Sequence, residues 1–474
     1  MKFDAQTFKF TAILCSLYAA PIILNDLVYL DDNFRTVAGY KNWTHDGRVL
    51  ADVFYYLFSF GGTLVDVYPL PLILSLAAFS SVVALLNGVL KVNAGIFSLA
   101  SLCILANPLM LSNLYFRYDS AFMVLSISLA LLPYCGVRRS IFLWIIGTFA
   151  ILASVSMYQA SAAIFIGFAG IELLIKEGQA RNWKDGAKNL IYRIAQLVSA
   201  LVVYKIAVLP NITLNNYTVK YSHTLPVSPS SAPILYENAK TSIRTILNVF
   251  SGPGILILCC AVIIVALALH HAIRTKQFLL TLPLSFSACF LAAVGLHTMS
   301  ANYFSLPRMY VGVGLLLMWV VLLSTTIKIR SIRYLLTIPI AFSLFYINFL
   351  ASNMLRDDDR NARAFAARLI TKLDTLNIDP QGKIMFVGHL QPSPSSGRAS
   401  YVYPPLNAIR QNLFNSGYDG GRFLFMQLGM PKLEYPNETD RADIAAKLDT
   451  ANPVSRNEIY ELYLVNNTVV VKFL

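Results

Sequence analysis

The sequence predicts an all-α polytopic membrane protein that ends in a small α/β domain. Of its 474 residues, 56% are hydrophobic and 13% are charged, whereas soluble domains usually carry about 25% charged residues. Apolar segments near the length that spans a bilayer, about 20 residues, recur along most of the chain. About eleven such segments fit residues 1–353, and a mixed helix and strand pattern defines a second domain at 354–474.

The loops between the apolar segments are of two kinds. Those on one side are short and hold 14 Lys and Arg, and those on the other side are longer and hold 8. Because basic residues accumulate on cytoplasmic loops, this asymmetry places the N-terminus in the cytoplasm. The long loops 25–66 and 210–252 then lie on the outer side, and an odd number of spans puts the C-terminal domain there as well. The second loop is rich in Pro, Ser and Asn, which predicts irregular structure.

The C-terminal region alternates helix and strand patterns. RNARAFAARLITKLDTL and DRADIAAKLDT have the apolar spacing of helices, while KIMFVGHL, RFLFMQLG and ELYLVNNTVVVKFL fit strands. Such a mix over about 120 residues is typical of a small domain. The charged run RDDDR at Arg356–Arg360 predicts a solvated, self-paired helix start rather than a metal site.

Charge and cysteine usage exclude several classes of function. The C-terminal region from Arg356 onward holds 14 Lys and Arg against 13 Asp and Glu, so nearly all of the net charge of +13 belongs to the membrane part. There it marks orientation rather than a nucleic-acid partner. The six cysteines lie in or beside apolar segments and show no metal-ligand spacing. We therefore expect neither a tightly bound metal nor another cofactor, although a loosely held divalent ion at a phosphate remains compatible with the sequence.

The first outer loop contains a dense set of charged residues. VYLDDNFRTVAGYKNWTHDGRVLADV begins at Val28 and places the adjacent carboxylates Asp31 and Asp32 just outside the membrane, with Arg35 three residues further on. The amphipathic pattern of NWTHDGRVLADVFYYLF predicts a helix along the membrane surface. A carboxylate can accept a proton from an acceptor hydroxyl, and an arginine can hold a phosphate through two hydrogen bonds. This grouping favours a lipid-phosphate substrate over simple solvated loop charges.

Three further outer positions carry candidate residues. Arg117 and Asp119, in FRYDS, fit either an ion-paired helix start or a substrate-binding pair. Tyr158 and Gln159, in SMYQAS, fit either a structural hairpin or ligands for sugar hydroxyls. Arg308, after NYFSLP, is either an anchor that reaches the lipid interface or a second phosphate ligand.

Several segments together resemble one family of membrane enzymes. An acidic pair followed by a basic residue in the first outer loop is similar to the GT-C glycosyltransferases, which use lipid-phosphate sugars. A closer resemblance is to the type II glucosyltransferases, the phage-derived, serotype-converting enzymes that add glucose to bacterial O-antigen. It is carried, in order, by YLDDNFRTVAGYKNWTHDGRVLADVFYYLFSFGGTLVDVYPLPLIL, LYFRYDSAFMVLSISLALLP, SMYQASAAIFIGFAGIEL and YFSLPRMYVGVG. It spans most of the membrane part and is weak in the C-terminal domain.

The resemblance implies an inverting glucosyltransferase with a GT-C-like fold in the bacterial inner membrane, surrounded by lipid and with its C-terminal domain in the periplasm. Its donor would be undecaprenyl-phosphate glucose and its acceptor the O-antigen polysaccharide of lipopolysaccharide. Asp31 and Asp32 occupy the catalytic position, and Asp31 is the first choice for the base. The implied donor-phosphate ligands are Arg35, Arg48, Arg117 and Arg308, and the implied sugar or acceptor ligands are Trp43, Asp46, Asp119, Tyr158 and Gln159.

Two other classes of membrane protein stay open. A transporter or flippase for lipid-linked oligosaccharides would need charged residues inside the spans, and these spans contain few. An O-antigen polymerase shares many spans and a large outer loop but lacks an early acidic pair. The sequence does not specify the acceptor sugar, the linkage formed, or whether the donor sugar is glucose or another hexose.

Overall fold

The computed structural model describes residues 2–136, 140–180, 183–226, 228–275, 280–378, 382–418, 420–430 and 433–474. Four basic residues on which the predicted orientation rests, Arg138, Arg139, Arg181 and Lys276, lie outside this part of the chain. The chain forms two compact units. Unit 1 comprises Met1–Leu24, Lys41–Phe349 and Val402–Ile409, and unit 2 comprises Asn25–Tyr40, Leu350–Tyr401 and Arg410–Leu474. The acidic pair of the first outer loop thus groups with the C-terminal region.

Helices dominate the chain up to the C-terminal region. In chain order they are α1 (Ala5–Asn25), α2 (Asp32–Ala38), α3 (Val49–Ser59), α4 (Leu70–Leu90), α5 (Ala94–Ala106), α6 (Leu111–Leu114), α7 (Asp119–Leu131), α8 (Ile141–Met157), α9 (Ala162–Ala180), α10 (Trp183–Val203), α11 (Asn216–Ser222), α12 (Ala232–Asn248), α13 (Ile255–Thr275), α14 (Thr281–Val294), α15 (Val313–Leu323) and α16 (Arg330–Thr375). The predicted domain boundary after residue 353 falls inside α16.

Six helices in the described residues are long and apolar enough to cross a membrane: Ala5–Asn25, Leu70–Leu90, Gln159–Lys176, Lys188–Asn211, Gly252–Thr275 and Arg330–Thr375. The pair Ala94–Ala106 and Pro108–Leu114, bent by 48°, gives a seventh if it forms one span. Shorter apolar helices occur at Val49–Ser59, Asp119–Cys135, Ile141–Met157, Thr281–Val294 and Val313–Thr326. The protein is therefore a mostly helical membrane protein, while the predicted number of about eleven spans stays a prediction.

Small residues allow the helices of unit 1 to approach closely. A Cβ atom added to Gly170 of α9 would lie 2.6 Å from the backbone oxygen of Ser285 in α14. One added to Gly314 of α15 would lie 2.5 Å from the Cα atom of Ile104 in α5. Because lipid gives apolar helices little hydrophobic reason to associate, close backbone packing at small residues is a main source of their affinity.

A buried ion pair joins α9 to α10. The guanidinium of Arg193 donates two hydrogen bonds to the Glu172 carboxylate, from Nε to Oε2 and from Nη2 to Oε1, at 3.1 Å each. The Arg193 guanidinium also lies 4.2 Å from the centre of the Tyr134 ring, and Lys176 contacts the same carboxylate. Glu172 and Arg193 are thus charged residues within the apolar part of the chain, and their opposite charges compensate each other.

The second outer loop is more ordered than its composition predicts. It contains the short helix α11 and the 17-residue helix α12, so the expectation of an irregular loop is wrong for this part. Near the start of the loop, the backbone amide of Asn215 donates to the backbone oxygen of His45, and ten residues further on the amide of Leu225 donates to the backbone oxygen of Met299. The first half of the loop is therefore bound at two points to other parts of unit 1.

Unit 2 contains a four-stranded sheet. Its strands are β1 (Lys383–Val387), β2 (Ser455–Arg456), β3 (Tyr460–Val465) and β4 (Thr468–Phe473), in the spatial order β1-β4-β3-β2. β1 pairs with β4 in parallel, and the other pairs are antiparallel. The helices of this region are α17 (Pro394–Val402), α18 (Gly420–Gln427) and α19 (Glu438–Leu448). An aromatic core that includes Phe365, Phe386 and Phe414 lies on the sheet.

Two predictions for the C-terminal region are wrong. RFLFMQLG forms helix α18 rather than a strand. The run at Arg356–Arg360 lies in the interior of α16 rather than at a helix start. Within it, Asp358 is buried and accepts hydrogen bonds from Ser396 Oγ at 2.7 Å and Arg410 Nε at 3.1 Å, so its partners come from outside the run.

Candidate active site

The acidic pair stands at the start of α2, in unit 2. The backbone oxygen of Asp31 accepts hydrogen bonds from the amides of Phe34 and Arg35, while its side chain does not cap the helix. Asp31 is exposed, whereas Asp32 is fully buried. Consecutive residues of a helix point about 100° apart, so the pair is divided between solvent and the protein interior. The two carboxylates therefore have different environments, and Asp31 is the one that a substrate can reach from solution.

Arg35 lies one turn after Asp32 and is also buried, with 7% of its surface exposed. Its guanidinium carbon lies 5.0 Å from the centre of the Tyr40 ring, a cation–π contact. Gly39 caps the end of α2 with a φ of +63°, and its amide donates back to the Arg35 carbonyl. The basic residue that the sequence places beside the acidic pair is thus held inside unit 2.

A tight turn in unit 1 organises the rest of the first outer loop. Residues Trp43–Asp46 form a 3₁₀ turn, and Asp52 in the first turn of α3 accepts hydrogen bonds from the backbone amides of Trp43 and Thr44. Gly47 follows with a φ of +77°, and a Cβ atom there would lie 2.7 Å from the Tyr204 hydroxyl. Because Asp52 binds the amides of both Trp43 and Thr44, it stabilises this turn.

Asp119 is bound by two side chains of that turn region. The indole Nε1 of Trp43 donates to Asp119 Oδ1 at 2.9 Å, and Arg48 Nη1 lies 3.4 Å from Asp119 Oδ2. Asp119 stands in the first turn of α7, where the helix dipole favours a negative charge. Trp43 is fully buried with its ring stacked on Tyr55, so it presents no face to solvent. The structure brings these candidates together as a contact between loop and helix.

Two arginines lie near Tyr158. The Arg48 guanidinium lies 5.1 Å from the centre of the Tyr158 ring, and the Tyr158 hydroxyl donates to the backbone oxygen of Arg308. Asn113 Nδ2 donates to the same oxygen at 3.2 Å. Burial raises the pKa of Tyr158, against the opposing effect of the Arg48 and Arg308 charges, so the phenol stays protonated and donates at neutral pH. Arg48 and Arg308 therefore both meet Tyr158, Arg48 through its guanidinium and Arg308 through its backbone oxygen, and an arrangement with two arginines suits a phosphate ligand.

Gln159 and Asp46 connect three loops. Gln159 Nε2 donates to the backbone oxygen of Asp46 at 3.0 Å, and the Asp46 carboxylate accepts from Asn215 Nδ2 at 2.6 Å and from Thr218 Oγ1 at 3.3 Å. Tyr204 joins this network by donating to the Gly47 carbonyl at 2.7 Å. The polar groups of both candidates are therefore engaged in holding the outer loops together.

Arg117 has partners of its own. Its Nε donates to Asp66 Oδ2 at 2.6 Å, and its guanidinium lies 4.7 Å from the centre of the Tyr68 ring. Arg117 is thus ion-paired, as one of its two interpretations from the sequence expects, and Asp66 of the first outer loop is a partner.

Comparison with known proteins adds an independent observation at this point. The model of one protein family, glucosyl transferase GtrII, matches residues 20–325 of the chain. The chain belongs to the GtrII glucosyl transferase family. It is also 27% identical over 267 residues to an uncharacterised 55.3 kDa protein encoded in the gtrB 5′ region of Salmonella phage P22. That match covers 54% of each chain, so the chain spans about half the length of this relative. No solved structure matches.

The matched region of this GtrII family member includes every candidate residue of the outer loops. Both the acidic pair of α2 and the arginines near Tyr158 lie within residues 20–325, whereas strands β1 to β4 lie beyond it. The resemblance inferred from the sequence is therefore confirmed. The individual roles of the site residues stay predictions.

Metal ligation finds no support among the described residues of this family member. None of them forms a group of three or more His, Cys, Asp or Glu side chains that could hold a metal ion. The six cysteines are free thiols.

Sequence reasoning did not single out several residues that build these sites. Asp52 shapes the turn, Asn113 binds the Arg308 carbonyl, and Asn215 binds Asp46. Asn215 also caps α11 by accepting from the Thr218 amide at 2.7 Å, and its position three residues before Thr218 is a helix-start signal readable in the sequence. The contact of Asn113 with Arg308 joins residues 195 positions apart, for which the sequence carries no local signal, whereas Asp52 lies only eight and nine residues from the amides that donate to it.

Proposed function

We propose that this protein is an inverting glucosyltransferase that moves glucose from undecaprenyl-phosphate glucose to the O-antigen of lipopolysaccharide at the periplasmic face of the inner membrane. The family match supports glucosyl transfer. The single structural observation that carries the proposal is the placement of Arg48 and Arg308 near Tyr158 on the outer loops of an apolar helical bundle. Such a pair suits the one charged group of a polyprenyl-phosphate sugar.

The proposed reaction is a single displacement. The acceptor hydroxyl attacks the anomeric carbon of glucose from the side opposite the phosphate. A new glycosidic C–O bond forms as the bond to the phosphate oxygen breaks, and undecaprenyl phosphate leaves with the bonding electrons. The hydroxyl proton goes to a carboxylate. Attack from the opposite side accounts for inversion at the anomeric carbon.

Within unit 2, Asp31 is assigned as the base because it is exposed and Asp32 is buried. Asp32 is assigned a supporting role inside unit 2, with Arg35 one turn away. A positioned general base typically contributes about 10²–10⁴-fold to the rate. Asp31→Asn should therefore lower the turnover number by roughly that factor.

Within unit 1, Arg48 and Arg308 are assigned to the donor phosphate. Negative charge on the phosphate grows as the bond to the sugar breaks, and guanidinium groups stabilise it where it develops. Asp119 fixes Arg48 from one side, since its Oδ2 atom lies 3.4 Å from Arg48 Nη1. Asp46 and Gln159 are assigned to loop packing rather than to sugar binding, because their polar groups bind other parts of unit 1.

The test uses full-length protein in lipid nanodiscs with radiolabelled undecaprenyl-phosphate glucose and purified O-antigen. Wild type should transfer label, and Arg48→Gln or Arg308→Gln should raise the donor KM by roughly 10–100-fold, as expected for a lost charged hydrogen bond. Lys240→Gln is the matched control, because Lys240 pairs with Glu237 on the exposed surface of α12. If wild type transferred no sugar from any polyprenyl-phosphate donor, the proposal would be wrong. Transmembrane movement of a lipid-linked sugar in the same discs would then favour a transporter.

A further inference from the structure

Residues from the far end of the chain hold the segment that carries the acidic pair. Gln411 Oε1 accepts a hydrogen bond from the backbone amide of Leu30 at 2.7 Å. Gln427 Nε2, at the end of α18, donates to Asn33 Oδ1 at 3.1 Å. Phe423, on the same helix, packs on Phe34 with ring centres 4.6 Å apart. All of these residues belong to unit 2.

The hydrogen bonds of Asn33 specify which atom meets Gln427. Asn33 is buried, and its Nδ2 donates to the backbone oxygens of Val28 and Leu30 at 3.1 Å each. Its side-chain oxygen is then the atom available to accept from Gln427. One buried amide therefore connects the chain before α2, the first turn of α2 and the end of α18.

Leu30, next to the acidic pair, has an unfavourable backbone conformation. Its φ is +46°, in the left-handed region that a side chain with a Cβ atom rarely adopts. Such residues persist where the surrounding structure determines them, and they cluster at functional sites. The backbone amide of Leu30 donates a hydrogen bond to Gln411 Oε1. The contact with Gln411 thus stabilises the backbone at the residue before Asp31.

We propose that Gln411, Phe423 and Gln427 are positioning residues that hold α2 in the rotation that exposes Asp31 and buries Asp32. This inference rests on the proposed function of Asp31 as the base. A helix of seven residues is too short to be stable alone, and a rotation of about 100° would exchange the environments of the two carboxylates. The three contacts come from the C-terminal region, so its role would be to position the catalytic carboxylate.

The test combines hydrogen exchange with kinetics on full-length protein in nanodiscs. Gln411→Ala and Gln427→Ala should each speed amide exchange in peptides covering residues 28–40 by about tenfold, the effect of one lost hydrogen bond. The turnover number should fall by a similar factor with the donor KM unchanged, because the arginines assigned to the phosphate belong to unit 1. Gln391→Ala is the control, since Gln391 is an exposed glutamine of the same unit.

A second arm separates positioning from general damage to the fold. In an Asp31→Asn background, Gln427→Ala should cause no further loss of turnover, because both changes act through one group. An equal loss in both backgrounds, or unchanged exchange at 28–40, would overturn the inference. Failure of wild type to transfer any sugar would instead reject the proposed function. The exchange measurement would still decide whether α2 is held by these residues.

Discussion

At the residue scale, Asp119 shows how one carboxylate can set the position of two neighbours. Its oxygens are bound separately, one by the Trp43 indole and the other by Arg48. Asp119→Asn keeps an oxygen for Trp43 but replaces the acceptor for Arg48 with an amide. We expect near-native stability and a several-fold higher donor KM in this variant.

Asp119→Ala should behave differently from the asparagine variant. It leaves the buried indole N–H of Trp43 without its acceptor, which costs about 1–3 kcal/mol. The melting temperature in detergent should therefore fall as well as the activity. Equal melting temperatures for the alanine and asparagine variants would show that the Trp43 contact contributes little to stability.

Asp31 and Asp32 show which properties of individual site residues can be predicted from the sequence and which cannot. The sequence shows an acidic pair soon after the first long apolar segment, and its place beside the membrane stays a prediction. The separation of the pair into an exposed and a buried carboxylate was not predictable. It depends on the rotation of a seven-residue helix, which contacts with Gln411 and Gln427 determine.

At the scale of helices and strands, the close packing of Gly170 against α14 leads to a prediction about stability. Gly170→Val places side-chain atoms against the backbone of Ser285, to which even a Cβ atom would come within 2.6 Å. Overpacking of this kind typically costs about 1–3 kcal/mol. Thermal unfolding in detergent should show the loss. Gly397→Ala is the control, because Gly397 is in helix α17 and a Cβ atom there meets nothing within 4 Å.

The strands of the C-terminal region show which patterns are decisive. KIMFVGHL and ELYLVNNTVVVKFL were predicted to form strands, and they correspond to β1 and the antiparallel pair of β3 and β4. RFLFMQLG has a similar run but forms α18, where the consecutive residues Phe423, Leu424 and Phe425 are all buried. A short apolar run cannot distinguish a buried strand from a buried helix by its period. The surrounding tertiary structure, and not the local pattern, determines that this segment is helical.

At the scale of the whole molecule, the buried pair Glu172 and Arg193 ties membrane helices by charge. Glu172→Ala would leave Arg193 uncompensated in the interior, a loss of about 3–5 kcal/mol for buried pairs. We expect a large fall in the melting temperature of this variant in nanodiscs. The double variant Glu172→Ala with Arg193→Met should recover most of it, because neither buried charge then remains, and Lys176, which also contacts Glu172, is partly exposed to solvent. A double variant as unstable as Glu172→Ala would contradict this account.

The orientation of the chain can be tested without reference to catalysis. The distribution of basic residues predicts the N-terminus in the cytoplasm and the C-terminal region on the periplasmic side. Alkaline phosphatase fused after Leu474 should be active, since it folds only in the periplasm, and green fluorescent protein at the same point should be dark. The reverse result would place the proposed chemistry on the wrong side of the membrane.

The contact between Gln427 and Asn33 joins residues 394 positions apart in the sequence. During synthesis, the acidic pair leaves the ribosome early, but its partner is made only after most of the chain has been inserted. Contacts of such separation form late, because the long loop between them must close first. The nascent protein would therefore carry the proposed base in an unordered segment and gain the proposed activity only near completion. Incomplete chains in the membrane would be inert toward the proposed lipid-linked sugar donor.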